Sequence, residues 1–428
     1  MIGFAGLSHL GIVSSAAAAA KGFDVAGYDA DASVCAALTD ARPPVVESGL
    51  PELLRDVASR THYAADASVL AQCDVIYISV DVPTDAANQS DSRPVEALLR
   101  EAARVARPGA ALVVLSQVHP GFSRALQADI ESFEHKRLRL YYQVETLVFG
   151  IAVQRALTPE RFIVGCHDPT HPLPTALDTF LKAFGCPILA MRYESAELAK
   201  IAINHFLAAS VAMTNTLAEL CEAIGADWSE IAPALRLDRR IGPHAYLTPG
   251  LGIAGGNIER DLATVIDVAS QRSTDAGVVQ AIVHNSRHRR DWALREVQRA
   301  IRAQAHGGVR VGVWGLAYKP DTASTKNSPA LALVEALDGV SVRAYDPKAR
   351  VNGSSPHLTV TAAPLDACRD ADVLVVMTPW KEFAAIDVAE VKHAMRGRVI
   401  IDPFAVLDGA RCVAEGFSYR RLGRPPDA

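Results

Sequence analysis

The sequence predicts an α/β protein in which two parallel-sheet domains are joined by a long central helix. Over the first third, short apolar runs alternate with helical patterns, as in a parallel sheet covered by helices. Residues 194–224 keep helical periodicity without a glycine or proline. From Val309 the strand and helix alternation begins again.

In chain order, the first strands are expected at 2–5, 24–28, 75–80, 111–116 and 161–164. The alanine run 16–20 ends at Lys21-Gly22 and is too short to cross a bilayer, so it reads as helix. The central helix would reach about 45 Å at 1.5 Å per residue, enough to join two domains. Residues 242–261 are rich in Gly and Pro between helical flanks, which suggests an ordered functional loop. Later strands are expected at 309–314, 340–345, 373–377 and 399–402. The resulting division is 1–192, 193–300 and 301–428.

A chain of 428 residues, half of them hydrophobic, can bury the cores of two or three domains. The net charge of −5 is dispersed, with no long like-charged run, so neither nucleic acid nor a membrane is expected as a partner. Seven cysteines are scattered without CxxC or Cys/His clusters, which fits reduced thiols in a cytoplasmic protein and no metal site.

The segment GLSHLG, residues 6–11, follows the first strand and opens a helix, as a Rossmann phosphate turn does. Gly6 permits the tight turn and Gly11 the close helix packing. Ser8 takes the place of the second glycine, where its hydroxymethyl group either crowds a pyrophosphate or offers it a hydroxyl. Asp29 ends the second strand, 18 residues after Gly11, and is suited to the adenosine ribose of NAD rather than NADP. His9 reads as a surface loop residue.

Further motifs resemble, in order and over nearly the whole chain, those of the UDP-glucose/GDP-mannose dehydrogenase family. SVDVPT (79–84) is similar to SVNTPT, SQVHPG (116–121) to STVPPG, and QVE (143–145) with TPERFIVG (158–165) to NPE and NPDRIVIG. The helix that begins ESAELAKIAIN resembles the family's dimer-building helix, and LDRRIG (237–242) resembles DPRIG. GLAYKPDT (315–322) with SPA (328–330) resembles GLAFKPDT and RESPA.

The resemblance implies two Rossmann-like domains around a helical dimerisation domain, an NAD cofactor, a nucleotide-sugar substrate and a homodimer supplying polysaccharide synthesis. It places Pro83, Thr84 and Gln117 at the cofactor, with Gln117 standing for a family threonine. It assigns Glu145, Lys200, Asn204 and Asp261 to catalysis, and Arg240, Gly255, Lys319 and Lys326 to the substrate. Lys200 and Asn204 lie one turn apart on one helix face, able to hold a water or substrate oxygen between them.

The loop LTPGLGIAGGNIERD (247–261) resembles NPGPGYGGSCFPKD, and without a gap the family's nucleophilic cysteine falls on Asn257. An amide cannot become a thiolate. Phe149 replaces the family's second glutamate, Ile253 its aromatic residue, and Lys326-Asn327 the Arg-Glu of RESP. The expected activity is therefore an NAD-dependent oxidation of a nucleotide sugar that stops after two electrons at an aldehyde or ketone. The alternatives are a non-catalytic NAD and nucleotide-sugar binder, or an epimerase-like enzyme that reduces and reoxidises bound NAD.

Overall fold

The computed structural model describes residues 1–83, 85, 90–303, 308–351 and 357–426. It forms two compact units, Met1–Ile203 and Asn204–Ala428.

The first unit holds strands β1 (Ile2–Ala5), β2 (Val25–Tyr28), β3 (Thr61–Ala64), β4 (Val75–Ile78), β5 (Ala111–Val114), β6 (Arg139–Gln143), β7 (Phe162–Cys166) and β8 (Ile188–Arg192). They pair in the order β3-β2-β1-β4-β5-β6-β7-β8. Every neighbouring pair is parallel except β6 with β7. The wholly buried strands β1, β2, β4 and β5 carry apolar cores on both faces, as a sheet covered by helices requires.

The second unit holds β9 (Arg310–Trp314), β10 (Ser341–Tyr345), β11 (Leu358–Val360), β12 (Val373–Val376), β13 (Val399–Ile401) and β14 (Ser418–Arg420). Their order, β11-β10-β9-β12-β13-β14, is parallel throughout. It repeats the order of the first six strands, 3-2-1-4-5-6, of the doubly wound dinucleotide fold. In both sheets the strand order reverses beside the first strand, which leaves a crevice at the carboxyl ends there.

All nine expected strands are present, with ends shifted by one or two residues. Five others escaped the sequence reading, and four of these, β3, β8, β11 and β14, are the sheet edges. An edge strand is covered on fewer sides, so β8, with none of its residues fully buried, has no continuous apolar signature.

The central helix runs from Tyr193 to Ile224 and ends at Gly225, whose φ of +84° favours glycine. Its first turns dock on the first sheet. Tyr193 donates its hydroxyl to the Leu140 carbonyl at 2.6 Å, and Glu197 accepts the N–H groups of Gly121 and Ser123 at 2.6 and 2.9 Å. Those amides open the helix Phe122–Glu131, so one carboxylate satisfies donors that the helix itself cannot. Burial pushes the Glu197 carboxyl above its ordinary range.

Glu197→Leu should therefore destabilise the protein by about 2 kcal/mol, because two buried donors lose a charged acceptor. Urea unfolding checks this, and Glu197→Gln, which keeps one acceptor oxygen, should recover part of the loss.

Candidate functional site

The turn after β1 is compressed. Gly6 has φ +88°, and a Cβ on Gly11 would lie 2.0 Å from the Gly6 carbonyl oxygen. Only glycine lets the helix His9–Ala20 start this close to the strand. Asp29 braces the turn by accepting the Leu7 N–H at 2.8 Å through Oδ2, while Oδ1 accepts from the Asp31 N–H. The question raised by Ser8 is answered by its partner: its hydroxyl donates to the Ser79 carbonyl at 2.9 Å, bridging the ends of β1 and β4. The cradle fits a dinucleotide pyrophosphate, with backbone amides at a helix start and a half-buried carboxylate at the ribose position.

His9 is not the surface residue that its sequence context suggested. It is the first residue of that helix, 9% exposed, with Nε2 2.8 Å from Glu47 Oε1. Pro83 is exposed and Gln117 half-buried, while Thr84 lies outside the described residues.

The second sheet repeats the turn with a different result. After β9, Gly315 has φ +93°, and Leu316 and Ala317 donate their N–H groups to Asp346 Oδ2 at 2.7 and 2.9 Å. Asp346 also accepts from Lys348, Ala349 and the Trp380 indole and is 3% exposed. All its acceptor capacity is used inside the fold, so it has none left for a ribose. No helix opens at this turn, because the next one begins at Pro329.

In the first unit, Lys200 Nζ lies 3.3 Å from Glu145 Oε2, and Leu147 donates its N–H to the other Glu145 oxygen. Both side chains are largely buried, at 14% and 18% exposure. In the second unit, the Asn204 amide donates to Asp261 Oδ2 at 2.5 Å, and Asp261 is 1% exposed. Each member of the Lys200 and Asn204 pair thus has its own carboxylate partner.

The glycine-rich loop belongs wholly to the second unit. Gly250 donates its N–H to Asn215 on the central helix, and Trp228 donates to the Leu247 carbonyl, each at 2.8 Å. Gly252, Gly255 and Gly256 have φ of +75°, +96° and +100°. A Cβ on them would meet, respectively, the Ser286 carbonyl at 2.3 Å, the Tyr318 ring at 2.5 Å and the Lys326 side chain at 3.0 Å.

Asn257 then opens the helix Asn257–Arg272 with an exposed side chain. Glu259 accepts the Gly256 N–H at 3.0 Å and the Asn327 amide at 2.6 Å, and burial raises its carboxyl above the ordinary range. Two substrate assignments are engaged locally: Arg240 pairs with Asp238 in an exposed turn, and Lys319 lies 5.7 Å from the Tyr318 ring centre.

No thiol is poised as a nucleophile. Burial is the leading cause that pushes all seven cysteines upward, with Cys73, Cys368 and Cys412 reaching about 12.

Sequence reasoning missed Glu47, Asn215 and Glu259, and marked Asn327 only as a departure from the RESP pattern. The available signals were slight: a lone carboxylate in the apolar stretch 45–50, and a Glu at the third position of a helix.

Comparison with known proteins gives three consecutive matches to the UDP-glucose/GDP-mannose dehydrogenase family: its NAD binding domain over residues 1–180, its central domain over 194–287 and its UDP binding domain over 312–409. The UDP-glucose 6-dehydrogenase AglM of Haloferax volcanii is 30% identical over 97% of this chain and 98% of its own. The UDP-glucose 6-dehydrogenase of Pseudomonas aeruginosa is 29% identical over 98% and 96%. The structure of a UDP-glucose dehydrogenase from Pyrobaculum islandicum superposes with a TM-score of 0.84 at 26% identity, covering 99% of this chain and 97% of that one.

Crowding at the two glycines separates their roles. Gly11→Ala should weaken NADH binding on the order of 100-fold, whereas Gly255→Ala should leave it within about twofold. Fluorescence titration with NADH on folded variants checks the contrast.

Proposed function

Because the chain belongs to the UDP-glucose/GDP-mannose dehydrogenase family, we propose that it oxidises a UDP-sugar with NAD by two electrons and releases an aldehyde or ketone. What supports this reading is Asn257, which the loop's resemblance to NPGPGYGGSCFPKD aligns with the family's nucleophilic cysteine, in a chain whose own thiols are all raised by burial. Without covalent capture of an aldehyde, the second oxidation has no thiohemiacetal to proceed from.

The first oxidation needs charge stabilisation and a proton acceptor, and the residues for both are retained. Lys200 supplies a cation for the developing alkoxide, and Glu145 holds its ammonium in one orientation. Glu145 and Asp261 are the candidate proton acceptors, with Asn204 fixed against Asp261 as the orienting amide. NAD, when bound, accepts the hydride. Asp29 offers the ribose a carboxylate and disfavours a 2′-phosphate. Lys319, Lys326 and Arg240 are assigned to the diphosphate and sugar, where cationic side chains suit the charge. These roles follow the functional division 1–192, 193–300 and 301–428.

We further assign a homodimer to the central helix. Phe206, Met213, Leu217, Leu220 and Ile224 form an exposed stripe along it, with Phe206 79% exposed. Their spacing keeps them on one face, which a second copy of the chain would cover.

Purified protein with NAD and a panel of UDP-sugars should form one NADH per sugar consumed, with carbonyl product trapped by a hydrazine. Two NADH per sugar would overturn the two-electron reading, and sugar binding with no NADH would favour a non-catalytic binder. Phe206→Asp should shift the protein from dimer to monomer in light scattering. A wild-type monomer would refute the assembly alone.

A further inference from the structure

Glu47 is a carboxylate that the reaction just described does not use, yet its side chain is completely buried. Burying a carboxylate costs several kcal/mol unless nearly every acceptor site is filled. Here they are filled from two directions. His9 Nε2 lies 2.8 Å from Oε1, and Gly150 donates its N–H to the carboxylate at 2.9 Å to Oε1 and 3.1 Å to Oε2. Ala152 adds its N–H to Oε2 at 3.3 Å. Phe149 completes the unit, its ring 4.2 Å from the His9 ring and tilted by 33°.

The two ends of this bridge have different duties. His9 is the first helical residue after the phosphate turn, whereas Gly150 and Ala152 end the segment that begins at Glu145. Glu145 is fixed in the same segment by the Leu147 N–H and by Lys200. An apolar plug would hold the two backbones together at lower desolvation cost. A carboxylate with directional bonds fixes their register instead.

We propose that Glu47, with His9 and Phe149, is a positioning unit that couples the seating of the dinucleotide pyrophosphate to the placement of Glu145. The proposal rests on the NAD-binding role of the first unit and on the reading of Glu145 as a proton acceptor. A ligand that tightens the His9 turn tightens the Gly150 and Ala152 amides through the shared carboxylate. Two sites biased by one bonded element are thermodynamically coupled, and the coupling is reciprocal.

The test reads amide exchange rather than turnover, so it stands even if the protein oxidises no sugar. In the wild type, saturating NADH should slow exchange at Gly150 and Ala152 by about tenfold, and Glu47→Gln should abolish that slowing. The same variant should weaken NADH binding by about tenfold. His9→Leu, which removes one of the bonds, should act in the same direction, and His9→Gln should restore part of the protection. A lowered melting temperature with NADH affinity and NADH-induced protection both unchanged would reduce Glu47 to a structural residue and overturn the proposal. Lost protection with no NADH produced from any UDP-sugar would support the coupling while counting against the proposed reaction.

Discussion

A carboxylate at the end of the second strand fixes the turn after the first in each sheet, and the rest of the site architecture depends on this bond. Asp29 accepts from Leu7 in one unit, and Asp346 from Leu316 and Ala317 in the other. The bond sets the path of a turn whose glycine already occupies the left-handed region. What differs is how much of the carboxylate remains. Asp29 keeps acceptor capacity at a half-buried position, while Asp346 is filled by backbone and indole donors and sealed. Duplicated topology thus gives one turn open to a ribose and another serving as internal bracing.

Much of this was readable in the sequence, for identifiable reasons. Strands buried on both faces leave continuous apolar runs, so β1, β4, β5, β9 and β12 were found nearly to the residue. Edge strands leave no such run, and all four edges went undetected. Gly6, Gly11 and Asp29 were legible because each meets a local steric or hydrogen-bonding need within one strand, turn and helix. Glu47 was not, because its partners lie 38 and 103 residues away. His9 was misjudged for the same reason, since nothing within the turn shows that a distant carboxylate will cover it.

The glycine-rich loop is braced at several points, none of them through the side chain at 257. Gly252, Gly255 and Gly256 are held against Ser286, Tyr318 and Lys326, contributed by separate segments. Asp261 is held by Asn204, and Glu259 by Gly256 and Asn327. None of these contacts involves the side chain at 257, which projects from the first position of its helix. A substitution at 257 would therefore leave these braces in place. Glu259 and Asn327 bond to each other, which ties the start of the helix Asn257–Arg272 to a second segment of the same unit.

The inert character of the native thiols has a practical consequence. Six of the seven are buried, the seventh is partly covered, and all are raised by desolvation. Electrophilic reagents react with thiolates, so near neutral pH the folded chain offers them almost nothing to attack. A single cysteine introduced at an exposed position would carry a fluorophore or spin label against a background confined to the partly covered Cys186.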